Sequence, residues 1–257
     1  MDLNLKGKVA IITGASRGIG RAIAQKLSKE GMRLVLAARS AESLQEVAAT
    51  CTSEVQTFPT DLRFETSPRQ LIDFTLQRFG DIDLLVNNAG ATKRGDFLHL
   101  TEEDWRDGFA LKFFSTVRCS RAAWPHLVQS KGAIVNVVGV GGRTGSADFA
   151  IGGSVNAAIL NLTKVLADRG MTDGVKVNAI NPGYIVTDRL KSRIDLLSHA
   201  NNISKDEAAS KITLDLGIPR FGQPSEIATA VAFLASSASS YCQGAILDVD
   251  GGQTRTL

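Results

Sequence analysis

The chain has 257 residues, 44% of them hydrophobic and 21% charged, with a formal net charge of +3. That balance suits a single globular α/β domain spanning 1–257 with a large core, and excludes a disordered chain. Basic residues are scattered, and groups as small as Lys6/Lys8 and Lys191/Arg193 leave no footprint for nucleic acid.

Short β-branched runs alternate with helical patterns along the whole chain. KVAIITGA comes first, starting by about residue 8 and leaving no room for a signal peptide. A helix over 18–30 follows, then the strand RLVLAAR, a helix over 41–50, the strand VQTFPTD and a helix over 66–79. IDLLVNNAG, a long helix over 102–129, GAIVNVVGV, a helix over 153–169 and VKVNAINPG continue the pattern, and a helix over 224–237 precedes the last strand, AILDVDGG. Near-continuous Val, Ile and Leu in the strands implies a sheet covered on both faces. The expected fold is a seven-stranded, doubly wound parallel sheet flanked by helices. The stretch 188–219 is polar, helical in parts and without a strand, and reads as a flap over a pocket at the carboxyl edge of the sheet.

Cys51, Cys119 and Cys242 lie far apart without metal-ligand spacing, so reduced, packed thiols in a cytoplasmic protein are expected, with no metal site. Charged or glycine-rich positions interrupt the apolar runs before membrane-spanning length, so no membrane association is expected. His99, His126 and His199 form no cluster in the sequence.

The first strand runs into TGASRGIG, Thr13 to Gly20, whose glycines 14, 18 and 20 are spaced G-x-x-x-G-x-G. Without Cβ atoms, such a turn lets backbone N–H groups and a helix N-terminus approach a pyrophosphate. Gly14, Ser16, Arg17, Gly18, Ile19 and Gly20 are therefore candidate cofactor contacts, although tight strand-to-helix turns also use glycine. At the end of the second strand, an NAD(H) site carries an acidic side chain for the ribose 2′-hydroxyl. Here Ala38 and Arg39 stand there instead, with Arg17 as a second cation. Two guanidiniums suit a 2′-phosphate, which favours NADP(H) over NAD(H).

TGASRGIG, the Asp61 of PTDLR, NNAG at 87–90, VKVNAINPGYIVTD and the closing FGQPSEIATAVAFLASSASSYCQGAILDVDGG together resemble the short-chain dehydrogenase/reductase family. Its 3-oxoacyl-[acyl-carrier-protein] reductase branch is the most similar, and the resemblance spans nearly the whole chain. It implies a Rossmann sheet, a homotetramer or dimer, and a small-molecule substrate. It also implies cofactor roles: Asp61 and Leu62 near the adenine, Asn88, Ala89 and Gly90 along the adenosine ribose, and Pro182, Gly183, Ile185 and Thr187 around the nicotinamide amide. One of Asn87 and Asn88 is expected to pin neighbouring strands.

The catalytic pattern departs from the family. Members use an Asn, a Ser and a Tyr-x-x-x-Lys pair: the phenol gives a proton, the lysine lowers its pKa and holds the nicotinamide ribose, and the serine fixes the substrate oxygen. NAAILNLTKVLA places Asn156 at the lysine position and Gly152 at the tyrosine. NVVG puts Gly139 at the serine, and ALKFFST puts Lys112 at the asparagine. The two tyrosines, Tyr184 and Tyr241, are followed at the fourth place by Asp188 and Ala245, so no register restores the pattern.

Catalytic residues therefore stay unassigned at this level. Tyr184, packed on the flap or facing the pocket, and Lys112, at the surface or reaching into the space of the family lysine, are the substitutes to consider. Gly139, Phe149, Gly152 and Tyr184 are expected to line a substrate pocket, enlarged by the two glycines. Arg143, Ser146 and Asp148 lie in the loop just before. An NADP(H)-dependent oxidoreductase with nonstandard or absent proton-donor machinery is the leading reading. A non-catalytic NADP(H)-binding sensor, or an inactive subunit beside an active partner, is the alternative. A structural relic that binds nothing is the third, disfavoured by the paired arginines and open glycine turn.

Overall fold

The computed structural model describes residues 3–255. Seven strands, β1 (Val9–Thr13), β2 (Arg33–Ala38), β3 (Val55–Pro59), β4 (Leu84–Asn87), β5 (Ala133–Val137), β6 (Lys176–Pro182) and β7 (Ile246–Val249), form one sheet in the order β3-β2-β1-β4-β5-β6-β7. Every pair is parallel, with Val9 opposite Arg33 and Leu84 opposite Ala133. Alternate residues serve opposite faces. Ile12, Leu34, Leu36, Val86 and Val135 pack under α1 (Gly18–Lys29) and α9 (Pro224–Ala235). Ile11, Val35, Leu85 and Ile134 pack under α3 (Ser67–Phe79) and α5 (Ser115–Ser130). The strand order reverses between β1 and β4, and that switch point opens a crevice at the carboxyl ends of the strands.

The remaining helices are α2 (Ala41–Ala49), α4 (Glu102–Gly108), α6 (Ala150–Asp173), α7 (Asp188–Asn201) and α8 (Lys205–Leu216). The helix expected over 102–129 is present as one uninterrupted helical run from Glu102 to Ser130. Within it a π-helical segment, Phe109–Phe114, lies between α4 and α5 and carries Lys112. The helix expected from 153 begins at Ala150 and runs to Asp173, so the Gly152–Gly153 pair lies inside its first turn rather than ahead of it.

One further expectation changes. α6 has 24 residues and a mean hydropathy of 1.3 in its most apolar stretch, long and apolar enough to cross a membrane, contrary to the sequence reading of interrupted runs. Its apolar face is used instead inside the fold, where Ile151, Val155 and Ile159 pack with Val138, Trp105 and Phe109. The 188–219 stretch forms α7 and α8, anchored by the buried Leu190, Ala208, Ile212 and Ile218. All three cysteines are free, as expected, and burial pushes the Cys119 thiol up to about 12.

Candidate active site

The glycine turn is built by close approach. A Cβ on Gly14 would sit 2.8 Å from the Ala89 Cα, and one on Gly20 would sit 2.2 Å from the Gly14 carbonyl oxygen. Gly14 (φ 66°) and Gly18 (φ 54°) also hold left-handed backbone that favours glycine. The turn is strapped to the end of β4: Thr13 Oγ1 accepts from the N–H groups of Asn88 (2.9 Å) and Ala89 (3.0 Å), and Asn88 Nδ2 donates to Thr13 O and Gly14 O. The Asn88 side chain, through Nδ2, is therefore a strut of the turn. α1 starts after Arg17 with no side chain capping its first N–H groups and no acid in its first turn, which leaves that end suited to an anion. Arg17 and Arg39 are exposed, and Ser16 and Ile19 are half-buried beside them.

Asn87 is the strand-pinning asparagine. Its Nδ2 donates to Asn136 Oδ1 (2.9 Å) and Ser120 Oγ (3.2 Å), and Asn136 donates on to Thr163 Oγ1 (2.9 Å), joining β4, β5, α5 and α6. At the end of β3, Asp61 accepts from the Arg63 backbone N–H and faces its guanidinium, which also grips Asp107, while Leu62 is buried. Beyond β6, Gly183 lies against Asp250, and its N–H donates to Val249 O (3.1 Å). Pro182 and Ile185 are buried here, and Thr187, touching the space above Gly18, leads into α7.

Lys112, Gly139 and Asn156, three of the four positions expected to depart from the family pattern, converge on one point. Lys112 turns inward from the π-helical segment, and its Nζ donates to Asn156 Oδ1 (2.5 Å) and Val138 O (2.7 Å). Asn156 is buried, and its Nδ2 donates to Gly139 O at 3.4 Å. Gly90 makes room for the lysine stem, since a Cβ there would meet Lys112 Cδ at 2.8 Å. Burial, with Arg189 close by, brings the Lys112 ammonium down to about 7. An exposed, snorkelling Lys112 is thereby excluded.

Gly139 has φ 133°, and a Cβ there would lie 3.1 Å from Asn156 Nδ2. Gly152 does not open the pocket, contrary to expectation. Phe149, the residue preceding α6, folds its ring over it, so that a Cβ would lie 2.0 Å from Cζ. The Tyr184 ring packs against α7, beneath the Arg193 guanidinium at 5.0 Å. Arg143 pairs with Asp248 at 3.3 Å, and Ser146 donates to Asp148. No group of histidines, cysteines and carboxylates able to hold a metal occurs among the described residues. Sequence reasoning missed Arg94 and Arg189, which reach the same cleft. Arg189 and Arg193 stand one helical turn apart in RLKSR at 189–193, a spacing that could have signalled part of this group.

A doubly wound sheet whose switch point carries a glycine cradle and an enclosed ionisable side chain defines a dinucleotide-dependent oxidoreductase architecture. The family model described as enoyl-(acyl carrier protein) reductase matches residues 14–254, and the chain belongs to this short-chain dehydrogenase/reductase family. It is 34% identical over 251 residues to the 3-oxoacyl-[acyl-carrier-protein] reductase FabG of Vibrio cholerae, covering 97% of this chain and 98% of that one. It is 32% identical to meso-2,3-butanediol dehydrogenase of Serratia marcescens, covering 98% and 96%. Among solved structures, L-sorbose reductase from Gluconobacter frateurii, complexed with NADPH and L-sorbose, superposes with a TM-score of 0.94 at 31% identity over the whole of both chains. A variant of actinorhodin polyketide ketoreductase with NADPH superposes at 0.90 and 30% identity, covering 97% and 98%.

Proposed function

We propose that this chain is a cytoplasmic NADP(H)-dependent oxidoreductase in which Lys112 takes the proton-donor role that family members give to tyrosine. The observation that carries the reading is the seat of Lys112 Nζ between Asn156 Oδ1 and Val138 O, beside Gly139 at the carboxyl end of β5. The cofactor assignment is supported by the cradle, whose glycines leave the space a Cβ would fill, by Arg17 and Arg39, and by the NADPH-bound structural relatives. When bound, NADPH supplies a hydride to an electrophilic carbon of the substrate.

Lys112 does the rest. An ammonium has three donors, and two are engaged with Asn156 and Val138. The third is free for the substrate oxygen. After giving up that proton, the neutral amine still has two N–H groups and keeps both bonds, so proton transfer requires no rearrangement. Water then reprotonates it. An ammonium near 7 is well matched to such work at neutral pH. Asn156, in this reading, also stands near the nicotinamide ribose, and Gly139, Phe149 and Tyr184 border the substrate.

A dimer or tetramer fits the exposed apolar residues Phe114, Val165 and Met171 of the helical face and Tyr241 and Leu247 near the C-terminal edge. Solution scattering showing a monomer would remove that part. The main test pairs NADPH fluorescence titration with a carbonyl, imine and enone panel followed at the NADPH absorbance. Turnover that collapses in Lys112→Gln while NADPH binding persists supports the reading. Binding without turnover across the panel moves the protein to the sensor or inactive-subunit reading.

A further inference from the structure

Cations gather at the mouth of this cleft against a single carboxylate. Arg94, in the segment after β4, lies 4.0 Å above the Phe149 ring centroid and 2.9 Å from Asp148. Asp148 also accepts from Ser146. Burial works to raise its carboxyl, and Ser146, Arg94 and Arg193 outweigh it, holding the carboxyl below the usual range. Arg193 stacks over Tyr184, and its Nη1 is buried without a hydrogen-bond partner among the described residues. Arg189, one turn earlier on α7, donates to Gly90 O at 3.1 Å. Burial, together with Arg94 and Arg17, draws its guanidinium below the ordinary value.

Bringing like charges together around one carboxylate is unfavourable, as is burying a guanidinium N–H with no acceptor. Both are relieved by an anion. The 2′-phosphate side of the cradle already has Arg17 and Arg39, at the ends of β1 and β2. Arg94 and Arg193 are instead each stacked on an aromatic ring, Phe149 and Tyr184.

We infer that Arg94 and Arg193 recognise an oxyanion, a carboxylate or a phosphate, on the substrate, while the Phe149 and Tyr184 rings take its planar apolar part. Guanidinium forks suit both oxyanions through paired, charge-assisted hydrogen bonds. The inference names the substrate class for the reaction proposed above and rests on that reading for where hydride and proton are delivered.

Calorimetric titration of benzoate, phenyl phosphate and neutral benzamide tests it, with the protein both NADP⁺-saturated and cofactor-free. The expected result is that at least one anion binds tenfold or more tightly than benzamide, and the stronger of the two identifies the oxyanion. Arg94→Ala and Arg193→Ala should each weaken that anion by about tenfold to a hundredfold. NADP⁺ affinity should stay as in the parent protein. Arg94→Lys and Arg193→Lys, which keep the charge and lose the fork, should fall between. Arg69→Ala, which removes an exposed charge paired only with Asp73 on α3, should change nothing. Equal binding of benzamide, or anion binding unaltered in the Arg94 and Arg193 variants, overturns the inference. Failure of the parent protein to bind NADP⁺ would instead sink the cofactor reading, and the cofactor-free titration would still decide the anion site.

Discussion

Phe149 occupies the volume that a side chain at Gly152 would need. A Cβ at 152 would fall 2.0 to 2.6 Å from three ring carbons of Phe149, and the same ring closes on Gly141. Restoring a tyrosine there therefore overfills the start of α6. Gly152→Tyr should destabilise the fold by about 1–3 kcal/mol without creating a tyrosine-dependent activity. Phe149→Ala combined with Gly152→Tyr should recover most of that loss. Equilibrium urea unfolding of the parent and the two variants checks this, and a fully stable single Gly152→Tyr would show that the ring moves freely aside.

The sheet and its order of elements were legible because buried parallel strands must be apolar nearly throughout, as in VAIIT and RLVLAA, and because the glycine turn has to follow the first strand. The departures expected at 112, 139, 152 and 156 were legible as expectations. Their consequence was not. Whether Lys112 points outward or inward depends on the π-helical segment, which has no clear signature in FALKFF. Whether Gly152 leaves a void depends on the rotamer of a phenylalanine three residues away. The arginine cluster joins Arg94 to Arg189 and Arg193, nearly a hundred residues on, so the contacts of α7 are needed to reveal it as a whole.

Lys112 should control the pH dependence of reduction. In the cofactor-free protein its ammonium sits near 7, lowered by burial and by Arg189. The proton donor is loaded below that pH and lost above it. kcat/KM for NADPH, which reports the free enzyme, should be flat on the acid side and fall towards tenfold per pH unit above about 7. Lys112→Gln should abolish this limb and lower the rate by roughly 10²–10⁴-fold. A limb unchanged in Lys112→Gln would assign the proton to another group.

The same lysine should leave a mark on stability. Its ordinary value is 10.5 and its folded value about 7, so between these the unfolded chain holds a proton that the folded chain has released. Stability contributed by this group is therefore lowest below about pH 7 and rises as pH climbs towards 10.5. Denaturation of the parent protein and Lys112→Met at a series of pH values should show the parent gaining relative to the variant across that window. Parallel curves would mean that the ammonium is solvated after all.

Arg17 and Arg39 should separate the two nicotinamide cofactors. Neither has a hydrogen-bonded acidic partner on the turn or at the end of β2, where the second strand closes on Ala38. Replacing both with alanine removes charge-assisted bonds to a 2′-phosphate. NADPH affinity should fall about tenfold or more, with NADH affinity nearly unchanged. Fluorescence titrations of both cofactors decide this, and an equal loss for the two would place the arginines elsewhere on the dinucleotide.

The exchange of lysine and asparagine between the two helices should be reversible as a pair but not singly. Lys112 Nζ and Asn156 Oδ1 are 2.5 Å apart, so Asn156→Lys alone would drive two ammonium groups into one partly buried site. Its cost should reach about 3–5 kcal/mol, the range for an uncompensated buried charge. Lys112→Asn with Asn156→Lys returns one cation and one amide to the same space and should unfold within about 1 kcal/mol of the parent, the remainder reflecting imperfect repacking. A double-mutant cycle on unfolding free energies measures the coupling. Additive effects would show that residues 112 and 156 act independently, and the proposed seat of the proton donor would lose its support.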